Sequence, residues 1–275
     1  MGQRLIPLLM VILCACSQAQ APGGYTVYMP MVQSQFTPSK GVGLAHPPCR
    51  DAIAIGAAWA YSWSVVAPTC VEGVPMIWGA TQAGLPVSGS SAYLLGFNEP
   101  DIATQANLTA QEAAALWPHI EDSYPDRLLV SPAPSHLDVA WLQRFRNAYI
   151  AQHGHAPRLD ALAVHCYGGY IGCRAKIEQV TQYAESWNIE GGVWVTEFAT
   201  PPCLFASDEI ALAQARQLIQ WMQAEPRVAR YAWFANRIDG NEWWSPRMDC
   251  ITPLFDPFGA LTQWGEMYKG DKSTP

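Results

Sequence analysis

Eight short apolar runs, each too continuous to have a wet face, constrain this chain more than any other feature of its sequence. They span residues 41–45, 55–63, 74–78, 92–97, 128–132, 159–167, 192–198 and 230–234. A strand that exposes one face to water alternates polar and apolar residues, whereas a strand covered on both faces does not. Such runs need a layer on either side, and segments with helical spacing lie between the later ones. Thr109-Ala-Gln-Glu112 has the form of a capping box and opens a helix through Ile120. Residues 138–153 and 207–224 carry helical apolar spacing behind an Asp or Ser able to cap them, and residues 259–268 supply a closing helix. Helices between the first three runs are poorly marked. Eight strands alternating with helices predict an α/β fold and, more specifically, a single (β/α)8 TIM barrel over residues 40–270.

The 275 residues fit one such domain, since a barrel of about 250 residues is ordinary. A net charge of −7 excludes nucleic acid and anionic membrane as the main partner, because both reward a basic surface. Twelve tryptophans and eleven tyrosines offer flat rings with a polar edge, which suit the apolar faces of sugars.

Residues 1–20 read as a signal peptide. Arg4 precedes an apolar run, residues 5–13, that is too short to span a bilayer. Leu13-Cys14-Ala15-Cys16 resembles a bacterial lipobox with Cys16 as the lipidated residue; an ordinary cleaved signal is the alternative. Residues 21–39 read as a tether containing an apolar island at 25–31, and residues 271–275 as a polar tail. The expected location is therefore outside a bacterial cytoplasm, secreted or anchored at the envelope through lipid. Six cysteines follow the signal: Cys49, Cys70, Cys166, Cys173, Cys203 and Cys250. An even number in an exported chain implies disulfides. Proximity favours Cys49–Cys70, Cys166–Cys173 and Cys203–Cys250 among many connectivities. None of these pairs has the spacing of a structural zinc knuckle, so no metal is assigned to them.

The chemistry lies at strand ends, where barrel active sites are built. Tyr93-Leu-Leu-Gly-Phe-Asn-Glu-Pro-Asp101 puts Glu99 just past the fourth run, which Pro100 ends because it cannot donate to a ladder. Val193-Trp-Val-Thr-Glu-Phe198 puts Glu197 at the end of the seventh. Strands four and seven stand nearly across a barrel, so both side chains reach one cleft. A lone Glu at a strand end is ordinarily a solvated loop residue. Two of them in apolar runs, with Asn98 directly before the first, make the pair that glycoside cleavage needs. His165 and Tyr167 end the sixth run and can orient Glu197. Tyr61, Trp63, Trp78 and Trp233 fall near strand ends, where they either stack on sugar or pack the barrel. Trp243 and Trp244, after the eighth run, are candidates for a cleft wall.

Several stretches together resemble glycoside hydrolase family 128 and the glycosyl-hydrolase catalytic-core group of clan A. They are Lys40-Gly-Val-Gly-Leu-Ala45, Trp59-Ala-Tyr-Ser-Trp63, Val74-Pro-Met-Ile-Trp78, Leu95-Gly-Phe-Asn-Glu-Pro-Asp101, Ala163-Val-His-Cys-Tyr-Gly168, Trp194-Val-Thr-Glu-Phe198 and Leu261-Thr-Gln-Trp-Gly265. They cover nearly all of the chain after Lys40, although Ser62 stands where the family's second-strand pattern offers Asn. The resemblance implies retaining cleavage of β-1,3-glucan by double displacement, with Glu99 as acid/base and Glu197 as nucleophile. Asn98 would bond the sugar 2-hydroxyl. A β-glucan oligosaccharide or polysaccharide is the implied partner, and a monomer is expected. No metal or organic cofactor is implied, because two carboxylates supply both the proton transfer and the nucleophile. Two readings stay open beside it: hydrolysis of another β-glycan, such as β-1,4-glucan or β-mannan, and a non-catalytic carbohydrate-binding envelope lipoprotein.

Overall fold

The computed structural model describes residues 39–238 and 250–270. The expected signal segment with Cys16, the expected tether up to residue 38, Trp243, Trp244 and residues 271–275 lie outside the described residues. In chain order the main elements are β1 (Ser39–Gly43), α1 (Arg50–Ala54), β2 (Trp59–Tyr61), β3 (Glu72–Gly73), β4 (Tyr93–Leu95), α2 (Ala110–Ser123), β5 (Leu128–Val130), α3 (Trp141–His153), β6 (Leu162–Tyr167), α4 (Tyr170–Ser186), β7 (Val193–Ala199), α5 (Asp208–Ala224), β8 (Val228–Trp233) and α6 (Gln263–Lys269). The fold is α/β with parallel sheet. Six strands pair in the order β3-β2-β1-β8-β7-β6, and β4 pairs with β5. Single parallel bridges, Met76 to Leu95 and Val130 to Ala161, stand between the two sheets.

Seven of the eight apolar runs carry a strand or part of one, the third carries only a bridge, and the differences have local causes. In the second run, residues 55–58 close α1 and leave only Trp59–Tyr61 extended. In the third, Pro75 has no N–H to give, so regular pairing stops at Gly73 and resumes as the bridge at Met76. The Thr109 capping box forms: the Glu112 N–H donates to Thr109 Oγ1 at 3.2 Å, and the Thr109 N–H donates to Glu112 Oε2 at 2.8 Å. Ser207 caps α5. The 17-residue α4 had no start signal, because it follows Gly169 with no side-chain cap.

Two buried clusters divide the apolar residues. The larger joins Val42, Leu94, Leu129, Val195 and Trp233 to helix residues such as Trp117, Phe145 and Leu218. The smaller contains no helix residue and gathers Trp59, Tyr61, Met76, Leu95, Val130, Ala163, Trp194 and Ala232. Strand alternation explains the division. On β7, Val193 and Val195 face the helices while Trp194 faces away. The register then slips, against β6 between Val164 and His165 and against β8 between Val195 and Phe198. Phe198 is back on the helix side. The inserted residue leaves Glu197 free to turn away from the helices, which is how a bulge re-aims a side chain.

The three disulfides are the pairs favoured by proximity: Cys49–Cys70, Cys166–Cys173 and Cys203–Cys250. Their sequence separations are 21, 7 and 47. A cross-link removes more unfolded-state entropy when its loop is longer. Replacing each pair by serine should therefore cost about 4 kcal/mol for Cys203–Cys250, about 3 for Cys49–Cys70 and about 2 for Cys166–Cys173. Urea unfolding of the three double variants checks this ranking; a reversed order would contradict it.

Candidate active site

The close of β4, the bulge of β7 and the end of β6 bring Glu99, Glu197 and His165 together. His165 is opposite Glu197 in the β6–β7 register, and its ring is fully buried. Its Nδ1 is 2.9 Å from Glu99 Oε1 and 3.4 Å from Glu197 Oε2. One ligating atom from each of the three residues falls within 4.8 Å of the others, a spacing a divalent ion could also use. The Glu197 side chain is only 5% exposed, and Glu99 14%. Both Glu197 oxygens have a further donor. Trp63 Nε1 donates to Oε1 at 2.7 Å, and the Tyr167 hydroxyl donates to Oε2.

Burial pushes the Glu197 carboxyl above its ordinary range, and the nearby Glu99 adds to the push. The charge on His165 and the Tyr167 and Trp63 donors pull the other way without overcoming it. For His165 the balance reverses. Burial disfavours its charge, but Glu197 and the hydrogen bond it donates to Glu99 outweigh burial, and its pKa is raised. Burial raises the Tyr167 hydroxyl well above its usual value, followed by Glu197 and Glu99, so it remains a donor.

Backbone strain collects at the same place. Four non-glycine residues have positive φ among the described residues: Trp63, Glu99, Asn107 and Asn188. Asparagine tolerates that region, but tryptophan and glutamate do not. Trp63 at +52° and Glu99 at +41° are thus strained at a cost of about 1–3 kcal/mol each, and such strain persists only where surroundings enforce it. The Glu99 N–H donates to Ala133 O and its carbonyl accepts from Ile102, each within 3.0 Å. Gly96 lets β4 approach β5 closely, since a Cβ there would meet Pro132 N at 2.8 Å.

Five buried side-chain polar atoms lack a partner among the described residues: Asn98 Oδ1, His136 Nδ1, His165 Nε2, Thr196 Oγ1 and Thr200 Oγ1. All belong to β6, β7 or the segments following β4, β5 and β7. Buried polar groups are normally satisfied, so such a cluster marks where a ligand can supply the missing bonds. Asn98 is held by its amide, Nδ2 donating to Gln105 Oε1 at 3.2 Å, which leaves Oδ1 free.

The aromatic candidates divide by strand face. Tyr61 is buried below the site, its hydroxyl donating to Thr196 O at 2.8 Å. Trp63 and Tyr167 touch Glu197 directly. Trp78 is half-buried, and its carbonyl accepts from the Asn98 N–H at 2.9 Å. Trp233 is a correction. It pairs in register with Val42 and Phe198 on the helix side, is fully buried against Trp264 and Tyr268, and donates to Thr252 O, so no sugar can stack on it. The next residue takes the place expected of it. Phe234 packs edge-on to Trp63 and Tyr167, with ring centroids 5.5 and 5.6 Å apart. His136 continues the series at 5.9 Å from Tyr167. Neither Phe234 nor His136 was singled out from the sequence. For Phe234 the signal was parity, since the residue after an outward Trp233 points inward.

Comparison with known proteins places the chain. The family described as glycosyl hydrolase catalytic core matches residues 46–268. A glycoside hydrolase family 128 (subgroup II) endo-β-1,3-glucanase from Pseudomonas viridiflava is 29% identical, with a TM-score of 0.67 over 84% of this chain and 97% of that one. A subgroup I endo-β-1,3-glucanase from Amycolatopsis mediterranei, solved with laminaritriose, is 26% identical, with a TM-score of 0.61 over 84% of this chain and 98% of that one. Alkali-sensitive linkage protein 1 of Schizosaccharomyces pombe is 25% identical over 233 residues, which are 78% of this chain. The match spans only 40% of that protein's length.

The electrostatics predict a titration. His165→Gln removes the positive charge that holds Glu197 down while leaving burial, which pushes it up. The Glu197 midpoint should therefore rise, as followed by carbon NMR of glutamate-labelled protein. A midpoint that stays or falls would contradict this balance.

Proposed function

The chain belongs to the glycosyl hydrolase catalytic core family and is a glycoside hydrolase; we propose that it cleaves β-1,3-glucan by double displacement, with Glu197 as nucleophile and Glu99 as acid/base. The observation that carries this reading is the close carboxylate pair: ligating oxygens of Glu99 and Glu197 lie within 4.8 Å. Retaining glycosidases hold their carboxyl groups about 5–5.5 Å apart, whereas inverting enzymes leave about 6.5–9.5 Å for a water. The substrate class is supported by the family 128 relatives, two of which are endo-β-1,3-glucanases and one of which is solved with laminaritriose.

In the first step Glu197 attacks the anomeric carbon as Glu99 gives its proton to the departing oxygen. In the second, Glu99 takes a proton from water, the water oxygen bonds to the anomeric carbon, and Glu197 leaves as carboxylate. Trp63 and Tyr167 hold the two oxygens of Glu197 from opposite ends, which fixes the attacking lone pair. Asn98 Oδ1 is available to accept from the sugar 2-hydroxyl, a contact that strengthens in the transition state.

The scaffold for this chemistry is, in our reading, a single (β/α)8 barrel. The bridges from Met76 to Leu95 and from Val130 to Ala161 support it, as does the helix-free cluster joining β2 and β4 to β6, β7 and β8. We carry export forward in the same way, with lipidation at Cys16 as the anchor. Metabolic labelling with palmitate should mark the native protein and not Cys16→Ser.

Reducing-sugar release should occur from β-1,3-glucans and not from β-1,4-glucan or β-mannan; the opposite preference would remove the substrate assignment. Glu197→Ala should lower kcat by about 10⁴-fold or more. Glu99→Ala should keep activity on aryl glycosides whose leaving group needs no proton. Loss of both substrate types in Glu99→Ala would refute its role as acid.

A further inference from the structure

His136 lies in the loop after β5 and has no part in the chemistry described above. Its segment is fastened to the Glu99 loop at several points. Glu99 donates its N–H to Ala133 O, Ser135 donates its N–H to Asp101 Oδ1 at 2.8 Å, and the Ser135 hydroxyl donates to Asp101 Oδ2. His165 N–H donates to Pro134 O, and Lys176 of α4 donates to the His136 carbonyl. The imidazole is braced edge-on by Tyr167. A side chain on so many supports is positioned rather than merely exposed.

The ring is half-buried, and Nδ1 is its buried end, without a partner among the described residues. A buried donor without an acceptor is costlier to leave unmade than a lone pair, so the proton belongs on Nε2. Burial and the charge of Lys176 lower the His136 pKa, with His165 adding to them against Glu99 and Asp101, which keeps the ring neutral near pH 7. A neutral Nε2–H at the outer end of a braced ring is a hydrogen-bond donor waiting for an acceptor. Its segment is bonded to Glu99 through Ala133 and to Asp101 through Ser135, so it stands on the side of the group that protonates the departing oxygen.

We propose that His136 binds the leaving sugar, donating its Nε2–H to a hydroxyl of the glucose unit that departs when Glu99 protonates the glycosidic oxygen. This rests on the double-displacement reading of the site. It makes His136 a determinant of how well a sugar, as opposed to any other leaving group, is accepted.

The test compares two substrates in the folded, disulfide-bonded protein. One is a β-1,3-linked glucan oligosaccharide, whose leaving group is a sugar. The other is an aryl β-laminaribioside, whose leaving group has no hydroxyl for His136. His136→Ala should lose about tenfold in kcat/KM on the oligosaccharide, the scale of one neutral hydrogen bond, and stay within about twofold on the aryl substrate. His136→Gln, whose amide nitrogen reaches the Nε2 position, should recover most of the loss. His136→Asn, whose amide stops at the Nδ1 position, should not. Equal losses on both substrates would mean a structural role and overturn the proposal, as would an unchanged oligosaccharide rate. Should the unaltered protein cleave neither substrate, the glucanase reading itself fails, a result distinguishable from failure of the His136 variants alone.

Discussion

Two carboxyl groups cannot share a nearly dry cleft without a donor between them, and in this chain that donor is His165 Nδ1. It faces Glu99 and Glu197 at 2.9 and 3.4 Å from a fully buried ring. The Trp63 indole and Tyr167 hydroxyl complete the arrangement by engaging the two oxygens of Glu197. Burial still wins over these donors at Glu197, so the site stores its carboxylate at the edge of stability rather than in a deep electrostatic well. A nucleophile too well solvated by its surroundings would be a poor one.

The scaffold meets this demand with two local departures from regular structure. The β7 bulge brings Glu197 opposite His165 in register, where strict alternation would send it toward the helices. The positive φ at Glu99 and Trp63 bends the chain at the ends of two strands so that their side chains point across the opening. Each departure costs energy locally, and the Glu99 turn is held by the hydrogen bond from its N–H to Ala133 O, just past the ends of β4 and β5. The larger cluster, which includes Trp117, Phe145 and Phe198, supplies the stability against which such strain is small.

How much of this was legible in the sequence depended on whether a local rule was obeyed. The Thr109–Glu112 cap, the strands at residues 162–167 and 193–199 and the three disulfide pairs follow propensity, burial pattern and proximity, and all were readable. Glu99 and Glu197 stood out because acids are rare in apolar runs. Helix α4 was missed because its start depends on tertiary contacts, among them the Tyr170 N–H donating to Gln214 of α5. Trp233 was misread because a continuous apolar run does not show which alternate residues face inward, and β8 itself gains a residue against β7, Trp194 pairing with Arg230 directly after Val193 pairs with Val228. His136 carried no signal, since its place depends on the pairing of Ser135 with Asp101 across 34 positions.

The central claim is that the close carboxylate pair acts by double displacement. Proton NMR of the first product released from a β-1,3-glucan oligosaccharide tests it most directly. The account predicts initial appearance of the β-anomer, followed by slow mutarotation to the equilibrium mixture. Initial appearance of the α-anomer would mean a single displacement by water, and Glu197 could then no longer be the nucleophile.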